Sequence, residues 1–237
     1  MVNMKLKRVL IISATALLLV GSGIGTYFIV ENVKYRQQYN EFLKLYHQHY
    51  NDRLALFEEE NKTLTNVDVV FLGDSLTEGY DLKTYYPEYI TVNRGIGGDT
   101  TFGLEKRLQV SAYDINPKMV MMLIGANNFD TMMDNYENIV ISLKENLPNC
   151  DITLLSLTSM TKDWGRNNQK AQNNNIKIKE YANKYNLRYL DLYNPLLDGT
   201  TNELRLEYTT DGGHFTPQGY EVITSVIKPV ITSCLSK

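Results

Sequence analysis

Between Asn66 and Leu235, short apolar runs alternate with longer amphipathic stretches, and this alternation constrains the fold more than any other feature of the sequence. Val67–Leu72, Ile90–Asn93, Lys118–Ile124, Asp151–Leu157 and Leu187–Leu192 are short, apolar and closely followed or preceded by turn-forming residues, the pattern of buried strands. Met121 and Met122 lie inside the third run and read as core. The intervening stretches read as helices: Thr101–Val110, with Asp99 and Thr100 as caps; Met133–Leu147, ended by Pro148; and an amphipathic stretch carrying Ile176, Ile178, Tyr181 and Tyr185. The asparagines between Asn167 and Asn175 read as a solvated helix face. Thr216 to Leu235 closes the chain as a helix, with Thr216 as N-cap and Pro217 at the first helical position. Strands separated by helices imply an α/β fold, with a parallel sheet covered on both faces.

The segment before this pattern is different. Lys5, Lys7 and Arg8 precede an uncharged run from Val9 to Val30 of about 22 residues, the length that spans a bilayer as a helix. This divides the chain into a cytoplasmic head (1–8), a transmembrane signal-anchor (9–30), a juxtamembrane helix (31–64) and the α/β domain (65–237). The expected location is a single-pass cell-membrane protein with its domain extracytoplasmic. Gly21 and Gly25 form a GxxxG pair, a candidate homodimer face, although glycine is ordinary in such helices. From Tyr35 the residues Tyr39, Phe42, Leu43, Tyr46, Tyr50, Leu54 and Phe57 recur at helical spacing and form an apolar stripe. The net charge of −3 and the lack of any long basic run exclude a phosphate-neutralising surface, so no nucleic-acid partner is expected. The two cysteines, Cys150 and Cys234, have no metal-ligand spacing, and no metal is expected.

In open parallel sheets, ligand sites form beyond the carboxyl ends of the strands. Four loops there carry polar or small residues: Gly73-Asp74-Ser75-Leu76, Asn93 to Thr100, Gly125-Ala126-Asn127-Asn128 and Asp211-Gly212-Gly213-His214. Taken singly each has a plain reading. Ser75 is a helix cap, the glycines serve turn geometry, and Asn127 is a turn residue. Histidine narrows the choice. Of three in the chain, His47 and His49 lie in the stretch before the domain, leaving His214 as the general base available within it. Asp211, three residues earlier, is placed to bond the imidazole. Together the loops fill the roles of an acyl-transfer site. Ser75 is the nucleophile, His214 the base and Asp211 its orienting carboxylate. The Ser75 N–H, the Gly98 N–H and the Asn127 amide are oxyanion donors.

These blocks, "GDSL" with Ser75, "NRGIGGDTT" with Gly98, "GANN" with Asn127 and "DGGHFT" with Asp211 and His214, resemble those of the SGNH hydrolases, the GDSL esterase/lipase family. The resemblance runs from Val67 to about Leu235. It implies a flavodoxin-like three-layer α/β/α fold with a five-stranded parallel sheet, and ester hydrolysis without a cofactor. One departure stands out: Asn128 follows Asn127 where the family usually has aspartate, which puts the support of that loop in question. Thr158 to Arg166, after the fourth strand, is the expected pocket wall, with Met160 and Trp164 as substrate-binding candidates. The absence of a long apolar insertion favours short-chain or O-acetyl esters, on small molecules, glycans or lipids. The alternatives are a lipase, lysophospholipase or thioesterase, a glycan O-acyltransferase with the same residues, and a non-catalytic membrane-anchored binding module.

Overall fold

The structure is a computed structural model that describes residues 4–165 and 167–236, with side-chain surroundings from residue 30 onward except at Phe42. The chain divides into two compact units, Met1–Gln48 and His49–Lys237. The first helix, α1, is assigned over Met4–Asn61. Tyr35 and Tyr39 of the first unit are exposed and stacked on each other, with ring centroids 6.3 Å apart.

The expected transmembrane helix over Val9–Val30 is corrected. α1 is assigned as one helix, not as a spanning segment followed by a second helix. Among the described residues no helix is long and apolar enough to cross a membrane. The physical reason is charge and polarity: the described part of α1 soon meets Glu31, Lys34, Arg36, Glu41 and Lys44, and the longer helices of the domain are polar on one side. The side chains of the basic head, the apolar run and the Gly21/Gly25 pair lie outside the described residues.

Five parallel strands make the sheet: β1 (Val69–Gly73), β2 (Thr91–Gly95), β3 (Met119–Leu123), β4 (Asp151–Leu155) and β5 (Arg188–Leu190). Their order is β2-β1-β3-β4-β5, the flavodoxin-like winding. β1 and β3 are buried at every residue, because helices cover both faces. Alternate residues serve opposite cores. Val70, Leu72, Val120 and Met122 pack with Leu104, Tyr136, Val140 and Ile178 on one face. Val69, Phe71, Met119 and Met121 pack with Tyr86, Tyr220, Ile223 and Ile227 on the other. Met121 and Met122 are therefore core residues of different layers, as expected. Cys150 and Cys234 are free thiols, and burial, with Asp151 beside it, pushes the Cys150 thiol up to about 12.

The helices are α2 (Ser75–Glu78), α3 (Leu82–Tyr85), α4 (Thr101–Lys106), α5 (Tyr136–Asn146), α6 (Asn168–Tyr185) and α7 (Pro217–Leu235). α7 starts as expected, with the Thr216 hydroxyl accepting from Gly219 N–H at 3.2 Å. α4 is shorter than the expected Thr101–Val110. Its regular turns end where Arg107 swings inward with φ −112°. The Arg107 guanidinium is buried and makes four hydrogen bonds. Nε donates to Asp99 Oδ2 (2.8 Å), Nη1 to Arg94 O (2.8 Å) and Ser111 Oγ (2.9 Å), and Nη2 to Gly73 O (2.9 Å).

The end of α1 completes this arrangement and belongs to the second compact unit, His49–Lys237. Phe57 is fully buried, with the guanidinium carbons of Arg53 and Arg94 4.8 and 4.5 Å from its ring centroid. Arg94, itself buried, pairs with Glu60 and donates to Asn61 Oδ1 at 2.7 Å. Tyr50 donates to Gly103 O at 3.1 Å. The stripe read from the sequence thus packs on the domain through its last members.

Removing the Arg107 charge strands the buried Asp99 carboxylate and takes a donor from Arg94 O, Ser111 Oγ and Gly73 O, of which Gly73 O keeps the Ile96 N–H. Arg107→Met is expected to lower the unfolding free energy by about 3–5 kcal/mol in urea titrations, and the loss should shrink in an Asp99→Asn/Arg107→Met double variant.

Candidate active site

Ser75 stands where β1 stops. Asp74, not Ser75, caps the next helix: its Oδ1 accepts from Leu76 N–H at 3.1 Å. Ser75 is the first residue of α2, which is a single turn. Because Asp74 does the capping, the Ser75 hydroxyl is turned to another use. Its Oγ lies 2.9 Å from His214 Nε2.

The Asp211–His214 turn is tied internally. Asp211 Oδ2 lies 2.7 Å from His214 Nδ1, while Oδ1 accepts from the backbone N–H of His214 (2.9 Å) and Gly213 (3.1 Å). Partial burial pushes the Asp211 carboxyl up. The hydrogen bonds from the His214 ring and the two amides outweigh it and hold the group below its ordinary value. Glycine is required at 213, since a Cβ there would lie 2.3 Å from the Trp164 ring. Trp164 in turn meets the His214 ring edge-to-face at 4.8 Å. The wall after β4 and the histidine turn are therefore in direct contact.

Gly98 occupies the third position of a turn closed by Asp99 N–H on Ile96 O at 3.1 Å, and its φ of 78° is a conformation that favours glycine. The Asn127 side chain donates to Asp99 O at 2.8 Å, which joins the loop after β3 to the loop after β2. Asn128, the departure from the family pattern, supports the same junction. It accepts from Thr101 N–H (3.3 Å) and donates to Thr101 Oγ1 (2.9 Å), and Thr101 donates onward to Asn135 Oδ1 (2.6 Å). An amide can both accept and donate here, so the loop keeps its anchor without aspartate.

Ser75, Asn127 and His214 open on one pocket, together with Asp74, Leu76, Ala126 and Gly213. Met160 and Trp164 line it, as does Thr158 from the start of the expected wall, and so do Phe129 and Leu157, which the sequence reading did not single out. The rule that sites lie beyond strand ends pointed to them, because Leu157 and Thr158 follow β4 directly. Gly98 is not part of this lining and is held beside it through Asp99. Arg166 lies outside the described residues. Among the described residues no three His, Cys, Asp or Glu side chains cluster as metal ligands.

The asparagines of α6 are not a solvated face throughout. Asn174 and Asn175 are buried, and with Asn168 they bond to the main chain around the pocket.

Solved structures share this fold. A Streptococcus pneumonia protein provisionally assigned as a platelet activating factor is 26% identical, aligns over 80% of this chain and 96% of its own, and has a TM-score of 0.75. A GDSL-like lipase from Bacteroides thetaiotaomicron is 25% identical over 77% of this chain and 98% of its own, with a TM-score of 0.69. An acetyl xylan esterase matches at 21% identity over 69% of this chain and 99% of its own, with a TM-score of 0.58, a likeness of fold alone. A comparison with curated proteins finds no match. The GDSL-like Lipase/Acylhydrolase family matches residues 71–222, which include Ser75, Gly98, Asn127, Asp211 and His214. The chain belongs to this family, the SGNH hydrolases, and is a hydrolase acting on ester bonds.

Proposed function

We propose that the protein hydrolyses short-chain carboxylic esters, among them O-acetyl esters of polyhydroxylated compounds such as glycans, through a Ser75–His214–Asp211 triad. The observation that carries this reading is His214, whose two ring nitrogens lie 2.9 Å from Ser75 Oγ and 2.7 Å from Asp211 Oδ2. Ser75 Oγ attacks the ester carbonyl carbon while His214 Nε2 takes its proton. Asp211 holds the Nδ1 proton and stabilises the imidazolium that results. The tetrahedral oxygen is met by the Ser75 and Gly98 backbone N–H groups and by the Asn127 amide, whose orientation is set by its bond to Asp99 O. Collapse breaks the bond to the alcohol oxygen, which leaves with the proton from His214. Water then attacks the acyl-enzyme with His214 again as base, releasing the carboxylic acid and restoring Ser75.

Two features support small acyl groups on polar alcohols. The pocket is narrow, with a cavity volume of about 20 Å³, well below that of clefts for drug-sized ligands, and its wall of Phe129, Leu157, Met160 and Trp164 is apolar. An adjoining groove shares Asn127 and Phe129 with it and is lined by Asn128, Asp130, Thr131, Asn167 and Lys170, groups suited to hydroxyl-rich ligands.

In a panel of aryl esters, acetyl is expected to turn over fastest, octanoyl more slowly and palmitoyl slowest. A preference for palmitoyl would overturn the short-chain reading. Ser75→Ala should abolish both turnover and labelling by a fluorophosphonate probe, and a wild-type protein that does not label would defeat the proposed nucleophile. Asp211→Asn should lower kcat by about 10³–10⁴-fold. It should also change the acid side of stability. The folded Asp211 carboxyl is held down, so its stabilisation is present above the unfolded value of about 3.9 and is lost as pH falls through the folded value. The stability difference between wild type and Asp211→Asn, measured by urea unfolding, should therefore narrow as pH drops below about 4.

A further inference from the structure

Beyond Leu155, β4 runs out of neighbouring strand, yet Ser156–Thr161 stays buried at every residue. Buried backbone groups need partners wherever the ladder ends. The last strand-like contact is Ser156 N–H to Leu190 O at 2.9 Å. Past it, side-chain amides of α6 take the place of a strand. Asn175 accepts from Leu157 N–H (2.7 Å) and donates to Leu157 O (2.9 Å). Asn168 repeats the pattern on Met160, accepting from its N–H (2.9 Å) and donating to its O (2.7 Å). Asn174 donates to Phe129 O at 3.0 Å.

The chemistry of asparagine suits this use. Its amide carries a carbonyl and an N–H on one carbon, so it pairs both backbone groups of one residue as a neighbouring strand does. Leucine at these positions would leave the Leu157 N–H and O and the Met160 N–H without these partners and leave Met160 O only the longer bond from Leu204 N–H (3.3 Å), and aspartate would accept but not donate. Asn168 and Asn175 are about two helical turns apart, which brings both amides to one side of α6.

The three residues held in this way, Phe129, Leu157 and Met160, are apolar members of the pocket wall. The asparagines grip only their backbones, so the side chains remain to meet an acyl group. The same segment continues into Thr161, whose N–H donates to Gly212 O at 2.9 Å within the Asp211–His214 turn.

We infer that Asn168, Asn174 and Asn175 are positioning residues that set the acyl-chain preference of the site, with α6 acting as a surrogate strand for the pocket wall. The inference rests on the proposed reading of Ser75 as the nucleophile of a carboxylic ester hydrolase. A shift of the wall backbone of about 1 Å alters how an acyl chain sits against Ser75, and displacements of that size cost up to about 10²-fold in rate.

The test compares full-length wild type with Asn168→Leu, Asn175→Leu and Asn174→Ala, and with Asn173→Ala as control. Asn173 is exposed and bonds only Gln169 among the contacts described. The first readout is the ratio of kcat/KM for acetyl and hexanoyl aryl esters. The ratio should change by about tenfold in the Asn168 and Asn175 variants, change less in Asn174→Ala and stay constant in Asn173→Ala. The second readout, amide hydrogen exchange at Leu157 and Met160, needs no turnover. It should accelerate in the matching leucine variant, which removes the acceptor of that N–H, while β4 remains protected. If Asn175→Leu does not fold, Asn168→Leu and Asn174→Ala carry the same comparison. Accelerated exchange with an unchanged ratio overturns the specificity role, and unchanged exchange overturns the clamp. A wild type that turns over neither ester overturns the underlying reading of the site, and the exchange readout still decides whether the clamp exists.

Discussion

The buried guanidinium of Arg107 is the contact on which the site's architecture depends. A guanidinium presents its N–H donors in a fixed plane, and here they reach acceptors on four different segments. Gly73 O and Arg94 O lie at the carboxyl ends of β1 and β2, and Gly73 O accepts in addition from Ile96 N–H at 3.2 Å. Asp99 supplies the countercharge from the loop that follows β2. Burying such a charge is costly, and only its countercharge and hydrogen bonds make it tolerable. The contact also accounts for the early end of α4, since the chain must turn at Arg107 to send the side chain inward. Phe57 from the end of α1 closes the underside of this arginine group.

The same device recurs around the pocket. Asn93 donates to Thr77 O at 2.6 Å and to Tyr80 O at 3.1 Å, fastening α2 to β2. Asn127 holds Asp99 O, and the α6 asparagines hold Leu157 and Met160. Each ties a backbone carbonyl outside the strands to a neighbouring element. The floor of the site is thereby rigid although it consists of loops. The functional groups of Ser75 and His214 sit above it, partly open to solvent.

Much of this was legible in the sequence, and the reasons are specific. β1 and β3 appear as unbroken apolar runs because both of their faces are buried. The cap and proline at Thr216–Pro217 mark a helix start through local chemistry alone. The four loops could be grouped because a parallel sheet puts all its carboxyl ends on one side. Other features depend on partners distant in the chain. Nothing local distinguishes Asn175, which clamps Leu157, from Asn173, which faces solvent, except its phase on a helix whose orientation is not written locally. The end of α4 was missed because helical periodicity continues through a residue that the fold recruits inward. The transmembrane assignment rested on apolar length, and the helix actually described is α1, running to Asn61, where its last turns serve the domain.

By itself, then, the sequence determined the class of the sheet, the family and the identity of the polar residues in the loops, because these follow from residue type, spacing and strand polarity. The question of whether Ser75 is a cap was decided only by tertiary structure. Asp74 takes the capping bond, and the fold carries His214, 139 residues away, to 2.9 Å from the Ser75 hydroxyl. Tertiary structure likewise decided which asparagines shape the pocket. The physical reason is the same in each case. A hydrogen-bonding group is defined by its partner, and these partners come together only when the sheet, its helices and the end of α1 are assembled.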